Sequence, residues 1–132
     1  MNYRYKVGIV SKKISEEADI PSGNIFIDDY HIMHIQKKHG KELSSVGMDA
    51  MTFVKCVCQN YNQIRRGADN SLLLVVYNDS LSLVAAMDLV YSHDKGFWEI
   101  KTAQPRSSHA VLKKALLWTG AQAVCRYGPA SH

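Results

Sequence analysis

The chain has 132 residues, of which 46% are hydrophobic and 21% are charged. This length suits a single domain with a core of its own, and the composition excludes a disordered or low-complexity protein. The formal net charge of +4 is a mild excess that favours polyanionic partners without requiring them. We expect residues 1–120 to form one domain and residues 121–132 to form a flexible tail.

Targeting signals and cysteine usage bear on the compartment. The first thirty residues contain no apolar run typical of a signal peptide, and no segment is long enough to cross a membrane. The three cysteines, Cys56, Cys58 and Cys125, lack the spacing of a zinc knuckle or a thioredoxin site. We therefore expect a cytoplasmic protein without membrane contact and without an intrachain disulfide.

The first part of the chain carries strand and helix patterns in turn. Residues 3–10, YRYKVGIV, alternate and are rich in aromatic and β-branched residues, which predicts a strand. The segment IPSGNIFID then places turn formers before a second strand-like piece. Asp28 or Asp29 can accept the free amides at the start of a helix, which Gly40 can close after His39.

The rest of the chain predicts one more helix, a meander and a closing helix. Apolar residues recur at spacings of three and four over Met48–Asn60, which is typical of a helix with one buried face. Beyond it, β-rich runs alternate with the separators GADN, NDS and SHDKG, as in hairpins. SSHAVLKKALLWTG, residues 107–120, predicts a third helix. The predicted class is α+β, with N-terminal helices followed by a four-stranded antiparallel sheet and a C-terminal helix.

Three of the six histidines fall within the stretch DDYHIMHIQKKHGKEL. At about 100° per residue, His31 and His39 share one arc of the helix, while His34 lies on its flank. Ligands of one metal ion must all lie within about 2 Å of it, whereas His31 and His39 are about 12 Å apart along the axis. A three-histidine metal site is thus excluded on a regular helix, and we expect neither a metal nor another cofactor. A histidine could instead exchange protons near neutral pH or pack as a structural residue against the sheet.

The segments IFIDDYHIMHIQKKHG, NYNQIRRG and WEIKTA together resemble a known group. They are similar to the phage- and mobile-element-encoded nuclease-like domains of the barnase–EndoU–colicin–RelE superfamily, over residues 24–104. The resemblance implies a helical N-terminal part before a four-stranded antiparallel sheet. It also implies a nuclease-like domain that cleaves RNA without a metal, in which the ribose 2′-hydroxyl attacks the adjacent phosphorus. The protein then supplies a base, an acid and cations for the phosphorane.

The resemblance also assigns candidate residues. His34 and His39 match the histidine pattern of the family helix, and His31 is an extra histidine one turn earlier. Thr102 matches the position near the end of the last strand where the group often carries a threonine. Cationic side chains suit the phosphate, because they can pair with its oxygens. The candidate RNA-binding residues are Arg65, Arg66, Lys101 and Lys38.

The leading hypothesis is therefore a metal-independent ribonuclease with histidine acid–base catalysis, such as a toxin or mobile-element effector. Its partners would be RNA, for example tRNA, and an immunity or antitoxin protein. The alternative is a non-catalytic nucleic-acid or protein binding domain in which the histidines are structural. A third possibility is a metal-dependent hydrolase that combines His31 and His34 with acids such as Asp28 or Asp88.

Overall fold

The computed structural model of the protein describes residues 2–92 and 95–120, so the tail predicted for residues 121–132 lies outside the described residues. Strands and helices alternate through the first half, and strands dominate the second. The strands are β1 (Arg4–Val10), β2 (Gly23–Asp28), β3 (Gln63–Arg66), β4 (Leu72–Val76), β5 (Leu81–Ser92), β6 (Lys95–Ser107) and β7 (Leu116–Thr119). The helices are α1 (Lys12–Ala18), α2 (Asp29–Ser45), α3 (Ala50–Asn60) and α4 (Ser108–Val111).

All seven strands join one mixed sheet in the order β1-β2-β6-β5-β4-β3-β7. The β2–β6 pair is parallel, and the other neighbouring pairs are antiparallel. The prediction of N-terminal helices before a four-stranded antiparallel sheet is therefore wrong, as is the sheet that the resemblance implies. Only the α+β class agrees. The predicted meander exists as β3 to β6, but β1 and β2 extend it at one edge and β7 extends it at the other.

The two faces of the sheet carry different cores. On one face, Leu74 and Ile100 pack with Phe53 of α3 in the main core. On the other face, a smaller cluster joins Leu73, Val75, Val84 and Val111, the last of these from α4. We call this second face the open face, because α4 and the segment after it lie against only a part of its width. Since apolar groups pack on both faces, all five residues of β4 are buried.

Helix α2 begins where the sequence predicts and ends later. The Asp28 side chain caps it by accepting a hydrogen bond from the His31 backbone N–H at 2.8 Å. The helix then continues through Gly40 and stops before Gly47, whose φ of 76° breaks the helical path. The predicted end at Gly40 is wrong, because the additional turn brings Leu43 into the core with no exposed surface.

The predicted C-terminal helix is also wrong. Only the four residues of α4 are helical, and the chain then returns to the sheet as β7. Pairing with β7 gives β3 a second set of backbone hydrogen bonds, and Trp118 lies opposite Ile64 in this pair. The long-range pairing therefore overrides the local helical pattern of residues 107–120.

Two further expectations concern the membrane and the cysteines. Within the described ranges, no helix is long and apolar enough to cross a membrane. Cys56 is disulfide-bonded, so the expectation of no disulfide is wrong for this residue. Cys58 is free and buried, so the expectation that it does not pair with Cys56 is confirmed. Cys125 lies outside the described residues.

Candidate active site

Strand β6 carries a row of polar side chains on the open face. Thr102 and Gln104 lie opposite Ala86 and Val84 of β5, and Val84 belongs to the open-face cluster. Because side chains alternate along a strand, Arg106 follows on the same face. The sequence prediction ended this strand near Thr102, whereas the structure extends it to Ser107.

A β-bulge explains why two adjacent residues of β6 both reach one pocket. Ile100 and Thr102 pair with Met87 and Ala86, which are consecutive in β5, so Lys101 is the extra residue between them. A bulge re-aims side chains that would otherwise point to opposite faces. Lys101 and Thr102 accordingly both line the same open-face pocket.

This pocket has a volume of about 320 Å³ and mixed charge. Three cations and two carboxylates line it, and the carboxylate of Glu99, which pairs with one of the cations, balances the remaining charge. The Lys101 ammonium is bonded to the carboxylate of Glu99. The charged and hydroxyl-bearing residues of the lining are Lys101, Arg106, Lys114, Asp69, Asp88, Ser71 and Thr102.

His39 is the histidine that faces the sheet. It is 7% exposed, and its helix lies beside β6. In one orientation of its amide, Gln104 forms hydrogen bonds with both of its neighbours. Its Nε2 then donates to His39 Nδ1 at 3.1 Å, and its Oε1 accepts from Arg106 Nε and Nη2, each at 3.1 Å. A hydrogen-bonded chain therefore runs from His39 through Gln104 to Arg106, which lines the pocket.

The Nδ1 atom of His39 has a second partner, the Glu42 carboxylate at 3.3 Å. The two contacts suit different tautomers. When Nδ1 carries the proton it can donate to Glu42, and Nε2 is then a free base. When Nδ1 accepts from Gln104, Nε2 carries the proton and is a donor. Within the described chain Nε2 forms no hydrogen bond, so it is the nitrogen that can exchange a proton with a ligand.

The other two histidines lie near the start of α2. Nδ1 of His31 lies 2.6 Å from Asp28 Oδ1. Burial by itself raises the pKa of Asp28, but the hydrogen bonds from His31 outweigh that effect and hold the pKa below its usual value. His34 is exposed and stacks on Tyr30, with ring centroids 6.3 Å apart and planes 11° from parallel. Both rings contact neighbours at the start of α2, whereas the His39 ring contacts Gln104 of β6.

The predicted cations occupy four different environments. Arg65 is 5% exposed, and it donates from Nη1 to the Lys114 carbonyl at 2.7 Å and from Nε to Gln63 at 2.8 Å. Arg66 is exposed and lies opposite Leu72, which packs in the main core, so the two arginines face opposite sides of β3 as expected. Lys101 lines the pocket. Lys38 is exposed and lines a shallow depression along α2 with Glu42.

The acids of the metal-dependent alternative are not gathered together. Asp28 pairs with His31, whereas Asp88 lines the open-face pocket. Among residues 2–92 and 95–120, no group of three His, Cys, Asp or Glu side chains is arranged to hold a metal ion.

Sequence reasoning missed Gln104, Arg106 and Lys114. A signal existed for the first two, because Thr102, Gln104 and Arg106 continue a polar alternation with a period of two. Pro105 within this run argues against a strand, and it concealed the continuation. No local signal connects Lys114 to the pocket, since its position depends on the return of the chain into β7.

Comparison with models of protein families, with curated proteins and with solved structures finds no match to this chain.

Proposed function

We propose that the protein is a metal-independent ribonuclease whose reacting phosphate binds at the rim of the open-face pocket, between Arg106 and His39. The observation that carries this proposal is the position of the buried His39 beside Gln104, whose other neighbour, Arg106, lines the pocket together with Lys101 and Thr102. The histidine-helix motif, which resembles that of nuclease-like domains, supports the same chemistry.

In the proposed reaction the substrate provides the nucleophile. The ribose 2′-oxygen forms a bond to phosphorus as its proton passes to Nε2 of His39 in the tautomer whose Nδ1–H donates to Glu42, and in this tautomer the Gln104 amide does not donate to Nδ1. The bond from phosphorus to the 5′-oxygen breaks, and that oxygen takes a proton from solvent. Lys101 and Arg106 oppose the charge that develops on the phosphorane, and the Thr102 hydroxyl donates to one of its oxygens.

Among the three candidate histidines we assign the catalytic role to His39. The contacts of His31 and His34 lie at the start of the helix, about 7 Å or more from His39 along the axis. Arg65 supports the pocket from beneath through its bond to the Lys114 backbone. Lys38 contributes to the positive potential of the same helix, and Arg66 would contact RNA only if the substrate wrapped around β3.

The experiment is an RNA cleavage assay in EDTA with tRNA and an unstructured oligonucleotide. We expect cleavage without added metal, and we expect His39→Ala to lower the rate about a hundredfold, the usual scale for a lost general base. Lys55→Ala, which removes an exposed cation of α3, is the matched control and should retain the wild-type rate. A substrate with 2′-deoxyribose at the scissile step should not be cut. Equal cleavage of that substrate would show that the proposed mechanism is wrong.

A second candidate is a non-catalytic RNA-binding domain, which the burial of His39 favours. RNA binding without cleavage in the same assay would identify it. A tRNA substrate, an immunity or antitoxin partner and a cytoplasmic location belong to the proposal as finer expectations. The disulfide at Cys56 is more typical of an oxidising compartment and opposes the last of these.

A further inference from the structure

An exposed arginine lies over aromatic rings at the edge of the open face. The guanidinium carbon of Arg4 lies 4.8 Å from the ring centroid of Phe97 and 5.9 Å from that of Phe26. The two rings meet edge to face, with centroids 5.6 Å apart and planes at 87°. Arg4 itself is exposed, whereas both phenylalanines are half-buried. The rings therefore support one side of the guanidinium group and leave the arginine accessible to solvent.

This cluster lies on the same sheet face as the pocket. Phe26 is next to Glu99 in the β2–β6 pair, and Glu99 lies opposite Asp88, which lines the pocket. Along β6, Phe97 and Thr102 are five residues apart, or about 16 Å. A few nucleotides of an extended strand can cover this distance.

We propose that the guanidinium of Arg4, supported by Phe97, is a stacking subsite for one unpaired base of an RNA substrate. Unstacked bases bind on aromatic rings and on guanidinium planes. The inference rests on the proposed function, since it gives that site its substrate class, RNA with an unpaired segment beside the scissile phosphate. A base-paired nucleotide cannot present its face to Arg4.

The guanidinium plane, and not the surrounding charge, distinguishes a nucleic acid from an acidic peptide as the ligand. Lys6 lies opposite Phe26 on β1 and is exposed, so a second cation stands beside the stack. A peptide carboxylate would need only the charge of Arg4, whereas a base needs its plane. The difference between Arg4→Lys and Arg4→Ala therefore distinguishes the two ligands.

The test is fluorescence anisotropy with two 2′-O-methyl pentanucleotides, which cannot be cleaved. One carries five adenines, and the other has the same backbone without bases. We expect Arg4→Ala and Arg4→Lys each to weaken binding of the adenine oligomer about tenfold, the scale of one lost base stack. Arg4→Lys should bind the abasic oligomer as the wild type does. Phe97→Leu, which removes the supporting ring, should reproduce the loss, and its unfolding midpoint shows whether it is folded.

Lys55→Ala is the charge-matched control, and it should bind both oligomers like the wild type. Wild-type affinity of Arg4→Lys for the adenine oligomer would overturn the subsite. An equal loss of affinity of Arg4→Lys for both oligomers would also overturn it. No binding of either oligomer by the wild type would also overturn it. Stacking without any RNA cleavage would leave the subsite in place and reject the proposed ribonuclease activity.

Discussion

At the scale of single residues, Gln104 connects two groups with different tasks. Its amide donates to the buried His39 when Nδ1 is unprotonated and accepts from Arg106, so one side chain lies against both the proposed base and a proposed phosphate ligand. A glutamine suits this position because it has a donor and an acceptor at one end. Glu42 is half-exposed and approaches His39 from the same helix, three residues along.

Replacing Gln104 with leucine should separate positioning from folding. The variant removes three hydrogen bonds and keeps a side chain of similar size, so we expect the free energy of unfolding to fall by about 1–3 kcal/mol. RNA cleavage should fall about tenfold, because Arg106 and His39 lose their common partner. Cleavage rates and urea unfolding measure the two effects. An unchanged cleavage rate would contradict the positioning role. Gln104→Asn, which keeps the amide, should lose less activity than Gln104→Leu.

The Cys58 thiol should not react with alkylating reagents in the folded protein. The thiol is buried, and desolvation raises its pKa well above the ordinary value, so the reactive thiolate is not formed near neutral pH. We expect iodoacetamide to label Cys58 only after denaturant unfolds the protein, without any reductant. Peptide mass spectrometry identifies the labelled residue. The disulfide-bonded Cys56 should become labelled only after reduction, and rapid labelling of Cys58 under native conditions would contradict its burial.

At the scale of elements, the sequence was informative wherever one face of an element is buried. Caps and periodicity predict the start of α2, the body of α3 and the strands of the meander. Asp28 caps α2, and Ile35 and Phe53 lie on the buried faces of their own helices. The sequence failed where distant partners decide. The apolar residues Leu112 and Leu116 have helical spacing, yet both are exposed, and Leu116 pairs with β3. No local pattern predicts that pairing.

Replacing glycine with alanine should lower the free energy of unfolding at Gly8 of β1 and raise it at Gly40 of α2. A Cβ at Gly8 would lie 2.6 Å from the backbone oxygen of Cys58 and 2.9 Å from its Cβ, so α3 would have to move away from β1. We expect Gly8→Ala to lower the free energy of unfolding by about 1–3 kcal/mol. At Gly40 the nearest atom is Nε2 of Gln36, at 3.0 Å, which need shift by only a few tenths of an ångström while its Oε1 keeps its hydrogen bond from the Ala50 backbone N–H. Gly40→Ala should therefore raise stability by about 0.5 kcal/mol, because alanine favours a helix interior.

Urea unfolding followed by circular dichroism measures both changes. The two variants add the same methyl group, so they control for each other. If Gly8→Ala were as stable as the wild type, the close approach between β1 and α3 would be wrong.

At the scale of the whole molecule, the candidate site combines segments that are far apart in the sequence. His39 comes from α2, Thr102 and Arg106 come from β6, and Lys114 comes from the segment before β7. The sequence could name histidines, a threonine and cations as candidates, because their chemistry is local. It could not select His39 from His34, since that choice depends on which side of α2 meets β6.

The stability of the whole molecule towards acid should depend on the two aspartates that cap α2 and α3. Hydrogen bonds from Thr52 lower the pKa of Asp49 below its ordinary value of 3.8. Burial raises the pKa of Asp28, but its hydrogen bonds, chiefly those from His31, lower it further and leave it below the same value. A carboxylate with a lower pKa in the folded chain stabilises the fold at every pH above its unfolded pKa. That contribution is lost as the pH falls through the folded pKa. Wild-type stability should therefore decline between about pH 5 and pH 2.

Asparagine caps a helix about as well as aspartate but does not titrate in this range. The double variant Asp28→Asn with Asp49→Asn should thus be slightly less stable than the wild type at pH 7, where it lacks both carboxylates, and should decline less steeply in acid. Thermal unfolding at a series of pH values measures the two slopes. Asp79→Asn is the control, because it removes an exposed carboxylate from the turn between β4 and β5, outside the four helix caps of the described chain. Parallel slopes for the wild type and the double variant would show that the caps do not carry the acid sensitivity. A shallower slope confined to the double variant would mean that protonation of these two side chains releases the starts of α2 and α3 and, with them, the helix that holds His39 against the sheet.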